Sequence, residues 1–476
     1  MDNREVFRAL EPVMQGGYWG RRVRAQLAFA LRLSAARNGA HDGTIAAALA
    51  HLTQKVRDDG VLTDAAARAA EEMLAPLGPD AKSLTVYCVA HAHMDMNWMW
   101  GFQETVALTL DTLRTVLTLL EEYPDFTFSQ SQASIYRIVE EYAPELLPAI
   151  RARVAEGRWE VTASTWVEND KNMPNGESMA RHLLYTRRYL SRLLGLDPAS
   201  LNLDFEPDTF GHCASLPEIL TKGGVKYYYH NRGGEGPHLY RWLAPGGAEI
   251  LVYRDLDWYN AQIEYDMFSD VPLFCKKYGV DVFLRVYGIG DHGGGPTRRD
   301  IERLRDMMTW PCLPTLRFGS YGEFYRALEP FSQRFAVLEG EQNFVFTGCY
   351  SAQSRIKMAN RVAEDRLYAA EALSGLTMAA LGGKTEPERF FRAWERVLFS
   401  QFHDILPGSG VRETREYALG EFSKTLVDTN AAAGRALRAL EARLDTTAIP
   451  FDVCPQTVSE GGGAGFQTGE PGGFAL

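Results

Sequence analysis

Four short stretches carry residues whose types and spacing could do chemistry. In Ala90-His91-Ala92-His93-Met94-Asp95, His93 and Asp95 stand two positions apart directly after an apolar run. Every second side chain of a strand shares a face, so the two can point the same way. Imidazole nitrogen plus carboxylate oxygen is a common zinc ligand pair. A structural histidine bonded to a strand-end carboxylate explains the same residues equally well. Asp208 lies in Glu206-Pro207-Asp208-Thr209-Phe210-Gly211-His212, where an N-cap or turn role is the commoner fate of such a residue. Asp291 is embedded in Gly288-Ile289-Gly290-Asp291-His292-Gly293-Gly294-Gly295-Pro296-Thr297. Glycines this dense permit close backbone approach to a ligand. The lysine and spacing of a phosphate-binding P-loop are missing, and a flexible turn is the plainer alternative. The fourth stretch is Ser400-Gln401-Phe402-His403-Asp404-Ile405-Leu406-Pro407-Gly408. Adjacent helical residues diverge by about 100°, so His403 and Asp404 can share a pocket only near a helix end, where Pro407 places them. Otherwise His403 simply complements the helix C-terminal dipole.

The elements around these stretches give them a common address. Apolar or aromatic runs begin near Thr85, Phe126, Trp159, Leu201, Lys226, Glu249, Val282 and Thr315. Helical patterns alternate with them, as where Val106, Leu110, Leu113, Leu117 and Leu120 make one apolar stripe. Alternating strands and helices imply a largely parallel sheet or a barrel, and such sheets bind ligands beyond the carboxyl ends of their strands. Three of the four stretches fall there. Residues 1–80 read as an Ala-rich helical region with a packing role. Residues 81–335 read as an α/β domain. Within 336–448 the helical patterns 352–381, 386–405 and 411–443 are broken by Gly382-Gly383 and Pro407-Gly408, which suggests a three-helix bundle. Residues 449–476 read as a linker, with seven glycines in 461–476.

Composition narrows the class. The 476 residues are 46% hydrophobic with a formal charge of −11, and no basic stripe suggests nucleic acid. The six cysteines, Cys88, Cys213, Cys275, Cys312, Cys349 and Cys454, are scattered without a CxxC pair. That argues against a thiolate zinc site and against a disulfide framework. The start MDNREVFRAL lacks the apolar core of a signal peptide. No run approaches the roughly 18 apolar residues of a membrane span. A cytoplasmic protein without membrane or nucleic-acid partners is expected.

Taken in order, the four motifs resemble those of the α-mannosidases of glycoside hydrolase family 38. His93-Met94-Asp95-Met96-Asn97-Trp98 looks like the family's first zinc motif, and Pro207-Asp208-Thr209-Phe210-Gly211-His212 like its nucleophile motif. Gln401-Phe402-His403-Asp404 looks like its second histidine motif. Trp166-Val167-Glu168-Asn169-Asp170 through Pro174-Asn175-Gly176-Glu177-Ser178 matches a further family stretch. The resemblance runs from about residue 83 to about 445. It implies an irregular seven-stranded (β/α) barrel-like catalytic domain, followed by a three-helix bundle that completes the active site. It implies one Zn²⁺ held by His93, Asp95, Asp208 and His403, with Co²⁺ or Mn²⁺ compatible with the same ligands. Asp208 would also be the nucleophile, and Asp291 the general acid/base, with Asp404 or Asp170 as the alternatives for the acid. Asp404 would bind substrate hydroxyls, and Trp98 and Phe210 would wall the sugar ring. Family members continue into β-sandwich domains, so the chain is expected to be the catalytic half of that architecture.

The chemistry such a site would perform is hydrolysis of terminal α-mannosidic bonds of oligosaccharides. Retention of configuration needs two carboxyls about 5–5.5 Å apart. A zinc-bound sugar and a covalent mannosyl-enzyme intermediate are implied by the resemblance, with a homo-oligomer compatible. The competing readings are a metal-dependent polysaccharide deacetylase, which also uses an HxD zinc site, and a catalytically silent carbohydrate-binding relative.

Overall fold

The computed structural model describes residues 2–445 apart from 344 and 383, together with a strand pair at Thr457–Ser459 and Gly465–Gln467. Apart from that pair, the stretch read as a linker lies outside the described residues. The chain divides into two compact units, Met1–Arg361 with Leu398–Gly420 and Val362–Val397 with Glu421–Leu476.

The described residues of the first unit form ten strands: β1 (Thr85–His91), β2 (Phe128–Gln130), β3 (Trp159–Val161), β4 (Leu203–Glu206), β5 (Tyr227–His230), β6 (Leu239–Leu243), β7 (Glu249–Arg254), β8 (Val282–Tyr287), β9 (Thr315–Phe318) and β10 (Ala336–Glu339). They form two five-stranded sheets. In the first, β1 is central. It pairs in parallel with β8 along Thr85–Ala90, with β9 along Thr85–Cys88, and with β2 at Ala90 and His91, and β3 extends the sheet beyond β2. The second runs β10-β6-β7-β5-β4 and is parallel except for the β6/β7 pair. Among the described residues the ladders therefore make two sheets rather than one ring of seven strands. The fold is α/β with parallel sheets and helices, as the alternating pattern requires.

Parallel strands covered on both faces are built from near-continuous apolar runs. β8, Val282–Tyr287, is buried at every position, including Arg285, whose guanidinium pairs with Asp257 and donates to the Met267 carbonyl at 2.8 Å. The β6/β7 hairpin is marked in the sequence by Ala244-Pro245-Gly246-Gly247-Ala248 between two apolar runs, a turn signal that the strand reading above passes over. Gly247 takes a left-handed φ of 89°, and the Ala244 N–H donates to the Ala248 carbonyl at 2.8 Å. β10 is mostly exposed, and its short apolar run, Phe335-Ala336-Val337-Leu338, is not among the strand starts read from the sequence.

Residues 3–80 are largely helical, with main helices Asn3–Leu10, Gly17–Ala36, Asp42–Asp59 and Asp64–Leu74. Thr63 caps the last of these by accepting the Ala66 N–H at 3.3 Å. They pack against the helix Arg298–Met308 and the loop before β9: the Tyr18 hydroxyl donates to Asp306 at 2.7 Å, and Gln26 Oε1 accepts the Cys312 N–H at 2.9 Å.

The long helices near the C-terminus are Ser354–Leu381, Pro387–Ser400 and Arg412–Glu441. In the second unit, Arg435 pairs with Glu386 at 2.7 Å, and Arg396 pairs with Asp428. The middle helix stops at Ser400, earlier than its apolar pattern suggests. Residues 401–408 form a turn instead, because their backbone pairs elsewhere. The Asp170 N–H donates to the Gln401 carbonyl at 2.9 Å, and the His403 N–H donates to the Glu168 carbonyl at 3.3 Å. No helix among the described residues is long and apolar enough to cross a membrane.

Candidate active site and metal centre

The four sequence stretches meet at one end of the strands. His93 and Asp95 follow β1, Asp208 follows β4, and Asp291 follows β8. His403 and Asp404 arrive on the 401–408 turn, which is held against the segment after β3 by the Asn169/Phe402 bridge. That geometry, rather than a helix end, lets neighbouring residues 403 and 404 face one pocket. The first and third stretches are joined directly: the Asp95 N–H donates to the Asp291 carbonyl at 2.8 Å, and Met94 bridges His292.

One ligand atom from each of His93, Asp95, Asp208 and His403 lies within 4.8 Å of the others, and all four residues are buried. His93 Nε2 is 3.0 Å from Asp95 Oδ1. His403 Nε2 is 3.6 Å from Asp95 Oδ1 and 3.8 Å from Asp208 Oδ2. Four ligands about 2.0–2.2 Å from one zinc would stand about 3.3–3.6 Å apart in a tetrahedron, and these separations lie around that value. His93 Nε2, His403 Nε2 and Asp95 Oδ1 are buried without a hydrogen-bond partner. A buried polar atom without a partner is costly, and a cation among these three would satisfy all of them. The residues therefore fit a divalent metal.

Both rings are oriented from behind. His93 Nδ1 lies 2.8 Å from Glu168 Oε2. His403 Nδ1 donates to the Glu168 carbonyl at 2.6 Å. A ligating histidine that turns its other nitrogen to a carboxylate or carbonyl is the usual arrangement behind a metal. One residue, Glu168, does this for both, and the Ser131 hydroxyl donates to its Oε1.

The charge balance points the same way. Burial opposes protonation of His93, yet Glu168 and Asp95 outweigh it and hold its pKa well above the ordinary histidine value. Burial also opposes protonation of His403, but Asp95, Asp404 and Asp208 keep its pKa at about 9. Burial and the Asp95 charge push the Asp404 carboxyl up to about 7, against the pull of His403. Against burial, His93 and His403 hold Asp95 down at about 2. The pocket carries more negative charge than it can solvate, and without a metal ion its imidazoles hold protons.

A cavity of about 590 Å³ opens over these groups. Its lining includes Asp95, Asp208, Asp291 and Asp404, and the aromatic rings of Trp98, Phe210, Trp258, Tyr259 and Phe346. Asp404 accepts from the Ser409 hydroxyl. Asp170 does not line the cavity; its carboxylate accepts the N–H groups of Asn172 and Met173 at 2.9 and 2.7 Å. Asp291 has a left-handed φ of 61°. Two glycines of its loop are closely packed: a Cβ on Gly288 would clash with the His91 carbonyl oxygen, and one on Gly290 would displace the Asn260 side chain.

Several residues here were not singled out in the sequence. Arg232, after β5, pairs through Nε with Asp208 Oδ1. Tyr259 packs edge-on to His93 at 5.1 Å, and burial together with neighbouring Asp208 raises its phenol pKa far above normal. Lys171 is fully buried beside the end of β4, with Nζ 2.9 Å from Asp204 Oδ2, 2.8 Å from Glu206 Oε1 and 2.9 Å from Asn169 Oδ1. Glu168 and Lys171 follow β3, so the strand-end rule could have flagged them. Arg232 and Tyr259 lie in ordinary loop sequence with no such mark.

Comparison with known proteins agrees with this geometry. The profile of the glycosyl hydrolases family 38 N-terminal domain matches residues 83–348, and that of the α-mannosidase middle domain matches 345–440. Alpha-mannosidase G of Dictyostelium discoideum is 32% identical over 354 residues, covering 72% of this chain and 32% of that protein. Mouse alpha-mannosidase 2C1 is 29% identical over 366 residues, covering 75% and 35%. The chain thus spans about a third of the length of these relatives. The crystal structure of an alpha-mannosidase from Enterococcus faecalis V583 shares the fold, with a TM-score of 0.70 at 20% identity over 77% of this chain and 44% of that one. The first profile covers more than half of the 476 residues and all the strand-end motifs up to Asp291, the second takes in His403 and Asp404, and the chain belongs to glycosyl hydrolase family 38.

Proposed function

We propose that this chain hydrolyses terminal α-mannosidic bonds of oligosaccharides with retention of configuration. The observation that carries the reading is the convergence of His93, Asp95, Asp208 and His403 at a pocket also lined by Asp291 and Asp404. The α-mannosidase names of the relatives support the substrate class.

In this reading His93, Asp95, Asp208 and His403 hold one Zn²⁺, or Co²⁺ or Mn²⁺ in its place. When bound, the ion supplies positive charge that keeps the carboxylates ionised and offers open positions to sugar hydroxyls. Asp208 attacks the anomeric carbon, forming an ester as the bond to the leaving oxygen breaks. Asp291 gives that oxygen its proton. Asp291 then takes a proton from water, whose oxygen displaces Asp208 and restores the original configuration. Arg232 keeps one Asp208 oxygen engaged, which orients the other. Asp404 accepts hydrogen bonds from sugar hydroxyls, and Trp98 and Phe210 wall the ring.

The architecture completing the proposal is a barrel-like domain over 81–335, preceded by the helical region 1–80. A three-helix bundle over 336–448 would contribute to the site through His403 and Asp404. Cytoplasmic location belongs to the same proposal, and a homo-oligomer is compatible with it. The test is metal analysis of purified protein together with hydrolysis of an aryl α-mannoside, reading the anomer first released by NMR. About one divalent ion per chain and α-mannose as first product are expected. First release of β-mannose, or hydrolysis that survives full metal removal, would overturn it.

A further inference from the structure

Within this pocket the carboxylates are graded by depth. The side chains of Asp95, Asp404 and Asp208 are 2, 5 and 12% exposed, whereas that of Asp291 is 36% exposed. A sugar bound over Asp208 therefore has its leaving oxygen directed past Asp291 toward the mouth. Two large aromatic side chains stand in the pocket lining with much of their surface open: Trp258, 45% exposed, and Phe346, 57% exposed. Exposed apolar surface beside a pocket marks a binding site more often than chance placement does.

These rings are fixed in place. The Arg232 guanidinium carbon lies 4.8 Å from the Trp258 ring centre and 5.0 Å from that of Phe346. Phe346 also packs edge-on to Phe210 at 5.2 Å, and Trp258 lies 4.7 Å from Tyr259. Phe346 has a left-handed φ of 52°, which for a bulky residue is an outlier of the kind found at ligand clamps. Its segment is tied to the nucleophile stretch, since His212 and Gln342 exchange backbone hydrogen bonds at 3.2 and 3.0 Å. Arg232 uses Nε for Asp208, and among the described residues its two terminal nitrogens make no hydrogen bond. The mouth thus presents two open aromatic surfaces with N–H donors between them. A pyranose matches this, offering C–H groups to the rings and hydroxyls to the donors.

We propose that Trp258, Phe346 and Arg232 form a subsite for the sugar ring of the leaving group. The enzyme is then built for a mannose attached to another sugar rather than to a small alcohol. This rests on the roles given above to Asp208 and Asp291. The experiment compares kcat/KM for mannobiose, in the linkage turned over best, with that for α-mannosyl fluoride, whose leaving group has no ring. Trp258→Ala and Phe346→Ala should each lower the mannobiose-to-fluoride ratio about tenfold, as truncating a contact that carries binding energy does. Trp258→Phe should retain most of the ratio. An unchanged ratio in both alanine variants overturns the subsite. Equal loss on both substrates also overturns it, because Trp258 would then act only through Tyr259 on the deeper sugar. Wild-type protein that hydrolyses neither substrate overturns the activity reading, and the subsite with it.

Discussion

Asp208 is held on both sides, with Arg232 on Oδ1 and the His403 ring 3.8 Å from Oδ2. The Asp291 carboxylate pairs instead with His292, outside the metal-binding set, and the two aspartates should separate on mutation. Asp208→Ala is expected to abolish turnover and lower the metal content. Asp291→Ala should keep its metal and lose about 10²–10⁴-fold on mannobiose, the usual cost of losing a general acid. Its loss should be much smaller on an aryl mannoside, whose leaving group departs without a proton. Equal loss on both substrates would send the search for the acid to Asp404. Glu168 permits a second test because it orients both imidazoles. Glu168→Gln should weaken metal binding about 10–100-fold, the usual effect of removing such a partner, as read by competition with a chelating dye. At this scale the His93/Asp95 pair was legible, since a spacing of two after an apolar run is a strand-end signature. Arg232 and Tyr259 were not. Their importance comes from which loop faces Asp208, and that is set by the β4/β5/β7 order rather than by local sequence.

Among the elements, the end of β4 depends on a buried cation. Lys171 ties Asp204 and Glu206 to Asn169, and Asn169 lies beside Phe402 in the bridge that carries His403. Removing one partner of a buried ion pair costs about 3–5 kcal/mol because the remaining charge is left unpaired. Lys171→Met should therefore lower stability by about that amount, and adding Glu206→Gln should recover part of it. If thermal unfolding shows the double variant no more stable than Lys171→Met, the carboxylates are not what Lys171 balances. Element reading from sequence succeeded most clearly for β1, β7 and β8, whose runs are the longest. It missed β6, where the Pro-Gly-Gly turn was present but unread, and β10, an exposed strand whose apolar run, 335–338, is short. It also extended the middle C-terminal helix past Ser400. Nothing local shows that residues 401–403 exchange helical hydrogen bonds for pairing with residues 168–170.

For the whole molecule, the buried charges link metal, protons and stability. His403, with a pKa of about 9 when no metal is bound, binds a proton more tightly folded than unfolded. A group raised in this way contributes stability that is complete below its unfolded pKa of about 6.5. That contribution fades as pH rises through about 9. Asp404, raised to about 7, has the same sign at lower pH. Metal-free protein should therefore lose stability from pH 6 to 9. Metal binding runs the other way, since a ligating imidazole must first lose its proton, so affinity rises over the same interval. Binding to the folded state alone adds stability that grows with affinity. The drop in Tm on treatment with a chelator should accordingly be small near pH 6 and grow to several degrees or more by pH 8.5. Calorimetric scans of metal-loaded and chelated protein across this range measure it directly. A drop that is constant with pH, or that shrinks as pH rises, would mean that His93 and His403 do not exchange protons for the metal. Either both imidazoles are already neutral before the metal binds, or they do not ligate it.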